Sequence, residues 1–173
     1  GSNIFAAQAG TLVKASYKEL REIRGGSSQT GYIGYQANDA ETVIEEMKSI
    51  YNTLAKSGIS YSLYKISYEA FQRVRTPAEV LKNKIGTCLD LSILYASCLE
   101  SIGLNPIIVF IKEHAFVGVF LEEKSFINYE CTDVAQVYNA SAESNLSILL
   151  VECTMFTGND LEGGRGCSFE QAV

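Results

Sequence analysis

The chain of 173 residues has no tryptophan, two prolines, two methionines and a single histidine, His114. One histidine excludes a His-rich metal site. The five cysteines, Cys88, Cys98, Cys131, Cys153 and Cys167, are odd in number and contain no CxxC spacing. Neither a disulfide framework nor a zinc site is indicated, and no metal or cofactor is expected. A reducing compartment, hence a cytoplasmic location, is the plain expectation. Basic residues are scarce: 14 Lys and Arg stand against 20 Asp and Glu, a net charge of −6. No basic run occurs, so direct nucleic-acid binding is disfavoured. The longest apolar stretches, Ile107–Ile111 and Ile148–Val151, fall far short of the roughly 18–20 residues that cross a membrane, and no membrane association is expected. No signal peptide opens the chain, and Gly1-Ser2 reads as a tag remnant.

What is present is a globular composition, 47% hydrophobic, in a chain long enough to bury a core without covalent staples. Leu12, Val13, Leu20 and Ile23 predict an amphipathic helix over Thr11–Arg24, stopped by Gly25-Gly26. Gly25–Gln36 reads as a linker or long loop. Asp39 is a candidate N-cap for a helix that carries Val43, Met47, Ile50, Tyr51 and Leu54 and stops at Gly58. Ile59, Tyr61 and Leu63 alternate with polar residues, as in a short strand. Thr76-Pro77-Ala78-Glu79 has the form of a capping box with Pro at the first helical position, and predicts a helix to Asn83; Gly86 then breaks the chain. Thr87-Cys88-Leu89-Asp90 repeats that box and opens a helix to about Ile102 that is apolar nearly all round, hence buried. Ile107–Ile111 reads as a buried strand, His114–Leu121 as a second, Ser125–Tyr129 as another, Asp133–Ser144 as a short helix and Ile148–Met155 as a strand. The expected organisation is a tag, helix and linker over 1–36 and one domain over 37–173.

Two residues stand out chemically. Cys88 occupies the first turn of the buried helix, where unpaired N–H groups and the helix dipole favour an anion and so a thiolate. A thiolate that turns over an amide needs a proton shuttle, and histidine suits that role because it titrates near neutrality. His114 follows at the start of a strand, and the intervening helix–strand unit can carry it back beside the helix N-terminus. A lone cysteine in an apolar helix is ordinarily inert core, and nothing sets Cys98, Cys131, Cys153 or Cys167 apart from that.

Arg75-Thr76-Pro77-Ala78-Glu79-Val80-Leu81, Gly86-Thr87-Cys88-Leu89-Asp90, the stretch Leu99–Pro106 ending in Gly103, and His114-Ala115-Phe116-Val117 resemble, in that order, the transglutaminase-like core of the papain-like superfamily. Across most of its length the chain further resembles the transglutaminase-like module of large bacterial helicase-associated proteins, which would make it an excised domain. The resemblance implies an α+β fold: a buried helix with the cysteine at its N-terminus, packed on an antiparallel sheet, plus N-terminal helices. It implies Cys88 as nucleophile and His114 as base. The family's third residue is usually an Asp in an Asp-x-Thr motif, and Glu152 in Val-Glu-Cys-Thr best fills that place. Glu130 in Tyr-Glu-Cys-Thr and Asn128 are alternatives. Many relatives complete the oxyanion hole with Trp, which is missing here; Gln72 is the candidate in its stead, beside the Cys88 N–H. The implied activity is a cysteine-dependent amide hydrolase or acyl transferase acting through a thioester. The alternative is an inactive recognition or regulatory module of a larger helicase-associated protein. The partner would be a protein or peptide substrate, or a neighbouring domain.

Overall fold

Side-chain caps set the helix boundaries in the computed structural model, which describes residues 2–25, 31–62, 73–126, 130–158 and 166–173, with side chains from Thr11 onward. Helix α1, Ser2–Ile23, starts earlier than the apolar pattern predicted and ends where predicted. Helix α2, Ala40–Ala55, is capped by Asp39, whose carboxylate accepts the Thr42 N–H at 2.7 Å. Gly58, at φ +72°, turns the chain out of it. Helix α3, Pro77–Asn83, opens on the predicted capping box of Thr76 and Glu79. Helix α4, Cys88–Ser101, opens on that of Thr87 and Asp90.

Between these helices lies a pairing that the sequence did not suggest. Strand β1, Ser60–Tyr61, runs parallel to β2, Ile85–Gly86, so Gly86 sits in a short strand where a chain break was expected. Strand β3, Pro106–Ile111, turns through Lys112-Glu113 into β4, His114–Phe120, and β5 spans Ile148–Val151. These three form an antiparallel sheet in the order β3-β4-β5, with Ile111 opposite His114 and Val117 opposite Val151. Three strand predictions need correction. Strand β3 is an edge strand and not a buried one: Phe110 and Ile111 are 66% and 56% exposed. The stretch Ile148–Met155 stops being strand at Val151 and continues as a 3-10 turn, Cys153–Phe156. Ser125 and Phe126 are not in a strand; the rest of that expected element, like Leu63, lies outside the described residues. Helix α5, Val134–Ser141, capped by Asp133, falls within the expected Asp133–Ser144 helix, and a short α6, Phe169–Ala172, opens on a Ser168–Gln171 capping box that the sequence reading passed over.

Helix α4 is the centre of the core. It packs on β3 and β4 and also touches α1, α2 and α3. Leu91, Leu94, Tyr95, Cys98 and Leu99 have no exposed surface, and each buried leucine contributes about 1.5–3 kcal/mol. Leu12, Val13 and Leu20 of α1 are buried too.

The described half of the predicted linker is held tightly. The fully buried Glu46 accepts the Ile33 and Gly34 N–H groups at 2.7 and 3.0 Å and pairs with Arg24 at 3.1 Å. The Tyr35 hydroxyl donates to the Phe120 carbonyl at 2.8 Å and accepts the Asn105 N–H at 2.9 Å, tying this segment to the sheet. The architecture is α+β: helices around a buried central helix that lies on an antiparallel three-stranded sheet. Among the described residues, no helix is long and apolar enough to cross a membrane.

Candidate active site

The turn before Cys88 is fixed by a buried carboxylate. Asp90 accepts the Thr87 N–H at 3.0 Å, the Arg75 N–H at 2.7 Å and the Arg75 guanidinium at 2.9 Å. The guanidinium offsets the charge with which Asp90 would otherwise oppose an anion at Cys88. Gly86 allows the close approach of β2 to α4: a Cβ there would meet Leu91 Cδ2 at 3.0 Å and Asp90 Cβ at 3.3 Å. Cys88 emerges from this turn as the first residue of α4, partly exposed, with the helix N–H groups behind it.

His114 is the first residue of β4, and its Nε2 lies 2.5 Å from Glu152 Oε2. Each side chain is 28% exposed, so the pair is reachable from solvent. The other carboxylate oxygen, Oε1, accepts the Thr154 N–H at 2.9 Å and its hydroxyl at 2.7 Å. Glu152 therefore caps the 3-10 turn with one oxygen and orients the imidazole with the other. Its own N–H donates to the Ala172 carbonyl at 2.8 Å, which explains why it leaves the strand line at Val151. With Nε2 committed to Glu152, Nδ1 is the ring nitrogen left for another partner.

Two residues that the sequence reading missed adjoin these pieces. Ser92, one turn beyond Cys88 on the same face of α4 and fully buried, donates to the carbonyl of Ala115 at 3.2 Å and partly offsets the rise that burial gives the pKa of the Cys153 thiol. It thus ties the start of α4 to the residues next to both His114 and Glu152. The i, i+4 spacing of Cys88 and Ser92 was visible, but a small polar residue in an apolar helix gave no hint of its partners. Tyr61 faces Cys88 across the β1–β2 pairing. Its pKa is raised by burial first, then by the charges of Cys88 and Glu152 and by hydrogen bonding to Cys88. The alternation of Ile59, Tyr61 and Leu63 was legible; the parallel partner that carries Tyr61 to this place was not.

The remaining candidates fall elsewhere. Glu130 is exposed and lines a separate shallow pocket with Ser125, Phe126, Cys131 and Asp133, so the carboxylate bonded to His114 is that of Glu152. Asn128 and Gln72 lie outside the described residues. Cys98 and Cys153 are fully buried; burial pushes the Cys98 thiol up to about 12, and it raises that of Cys153 as well. Both are inert core. Cys131 and Cys167 are exposed. Among the described residues, no group of three or more His, Cys, Asp or Glu side chains is arranged to hold a metal ion.

A family model described as "Transglutaminase-like domain" matches residues 32–137, a span that includes Cys88 and His114 but not Glu152. Comparison with curated proteins and with solved structures gives no match. With more than half of its length matched, the chain belongs to the transglutaminase-like domain family.

Proposed function

We propose that this protein is a cysteine-dependent amide hydrolase or acyl transferase of the peptidase or deamidase type, acting on a protein or peptide amide. The single observation that carries the reading is the 2.5 Å contact of His114 with Glu152, held by Thr154 on the far side and tied through Ser92 to the helix that starts at Cys88. A nucleophile at a helix N-terminus, an imidazole and a carboxylate that orients it are the parts such chemistry needs.

The Cys88 thiolate adds to the carbonyl carbon of the amide, and the carbonyl electron pair moves onto oxygen. The Cys88 backbone N–H is placed at the helix start to stabilise that oxyanion. As the oxyanion collapses, the C–N bond breaks. The leaving nitrogen takes a proton from His114 Nδ1 and departs as an amine, leaving a thioester on Cys88. Water, deprotonated by His114, attacks the thioester to give a carboxylic acid and regenerate the thiolate; an amine in place of water gives a new amide. Glu152 stabilises the imidazolium that precedes amine departure and the one that forms when water is deprotonated; between the two steps the imidazole is neutral and free to act as base.

Labelling with iodoacetamide at pH 6 tests this reading, because Cys131 and Cys167 are exposed thiols in the same chain and serve as internal references. Cys88 is expected to alkylate about tenfold or more faster than either, since an ordinary thiol is almost wholly protonated there. His114→Ala should bring it down to their rate. Equal rates for all three in the unaltered protein would remove the catalytic reading and leave an inactive recognition module.

A further inference from the structure

The β1–β2 pairing sets Tyr61 beside the nucleophile position. Tyr61 is the register partner of Gly86, two residues before Cys88. The Ser60 N–H donates to the Lys84 carbonyl at 2.9 Å and the Ser62 N–H to the Gly86 carbonyl at 2.8 Å, so the backbone on either side of Tyr61 is clamped. The ring is partly buried and packs against the core. Two acidic groups face that hydroxyl: Cys88 from α4 and Glu152 from the segment after β5. Both Glu152 oxygens already accept bonds, one from Thr154 and the other in its contact with His114. The nearby Asp90 carboxylate is taken up by Arg75 and Thr87.

We propose that the Tyr61 hydroxyl donates a hydrogen bond to the Cys88 thiolate and is the positioning residue of the nucleophile, setting both how much of the anion forms and where it points. The proposal rests on Cys88 being the nucleophile. The phenol suits the task because burial and the two acidic neighbours hold its proton in place, so it acts only as a donor and brings no charge of its own. A hydrogen bond to the anionic form favours that form. One bond of this kind is worth about a tenfold change in thiolate fraction. The same bond tempers the sulfur, since nucleophilicity falls as the thiol becomes more acidic, and about half of the tenfold gain is returned on a logarithmic scale.

Tyr61→Phe keeps the ring and removes only the donor. Competitive alkylation by iodoacetamide is followed at pH 6 and pH 9, with Cys131 and Cys167 as references. At pH 6, Cys88 of the variant is expected to react about threefold more slowly than in the unaltered protein. At pH 9, where the anion forms without help, it should react as fast or faster. Incorporating 3-fluorotyrosine at position 61, a stronger donor of nearly the same size, should move the pH 6 rate the opposite way and covers the case in which the Phe variant folds poorly. A merely structural role would slow the reaction equally at both pH values, and that result, or no change at either, overturns the proposal. If His114→Ala slows Cys88 while Tyr61→Phe does not, only the role of Tyr61 is lost. If Cys88 of the unaltered protein reacts no faster than the reference thiols, the nucleophile reading fails and this proposal falls with it.

Discussion

Replacing Asp90 by Ala removes the acceptor that holds the turn before Cys88. The side chain is 1% exposed and its ion-pair partner Arg75 is 22% exposed. The Thr87 N–H, on a residue only 8% exposed, is left without its acceptor and costs about 1–2 kcal/mol. The Arg75 N–H and guanidinium lose theirs too but can be partly rehydrated, so each contributes toward the lower end of that range. The expected loss is about 3–4 kcal/mol, near the range for breaking a buried ion pair. With a urea slope of about 2 kcal/mol/M, the unfolding midpoint should fall by about 1.5–2 M. Asp90→Asn should lose about half as much: its carbonyl oxygen still accepts one N–H while its amide group faces donors. Urea titrations followed by circular dichroism measure both variants. A midpoint shift for the Ala variant under about 0.5 M would refute the reasoning, because the three bonds would then add almost nothing net.

A Cβ at Gly118, on the central strand that carries His114, would meet Ile107 Cγ1 at 2.9 Å and Ile148 Cγ2 at 3.1 Å. Gly118→Ala should cost about 1–3 kcal/mol and lower Tm by several degrees in calorimetry; an unchanged Tm would show that the two isoleucines yield freely. The cap carboxylates Asp39 and Glu79 are held below their ordinary values of 3.8 and 4.5, first by the Thr42 and Thr76 backbone N–H groups respectively. Because the folded value is the lower one, their stabilisation is complete above those ordinary values and disappears as pH falls through the depressed folded ones. Between pH 5 and 3, urea midpoints should therefore fall less steeply in an Asp39→Asn, Glu79→Gln double variant; an identical slope contradicts the assignment.

What could be read in the sequence was what local chemistry decides. The two Thr capping boxes act within four residues, so α3 and α4 start where predicted and Cys88 occupies the helix N-terminus. The apolar strand order around His114 was legible for the same reason. Partners far along the chain were not. Strand β3 is as apolar as a buried strand, but its position at the sheet edge leaves Phe110 and Ile111 exposed. Glu152 was assigned to a strand by the composition of its neighbours; a bond to Ala172, near the chain end, bends it out to cap the next turn. Tyr61 and Ser92 went unnoticed because their relevance lies wholly in what the β1–β2 pairing and the α4–β4 packing bring to them.

If Cys88 and His114 work on the same substrate bond, a three-carbon bifunctional alkylator such as 1,3-dibromoacetone will span them. The chain has one histidine, and trypsin cuts after Lys112, between Cys88 and His114. One intramolecular bridge is expected, found as the Cys88 and His114 peptides joined in a single species, and lost after prior blocking of Cys88. Reagent attached to Cys88 alone, with His114 unmodified in every peptide, would contradict it.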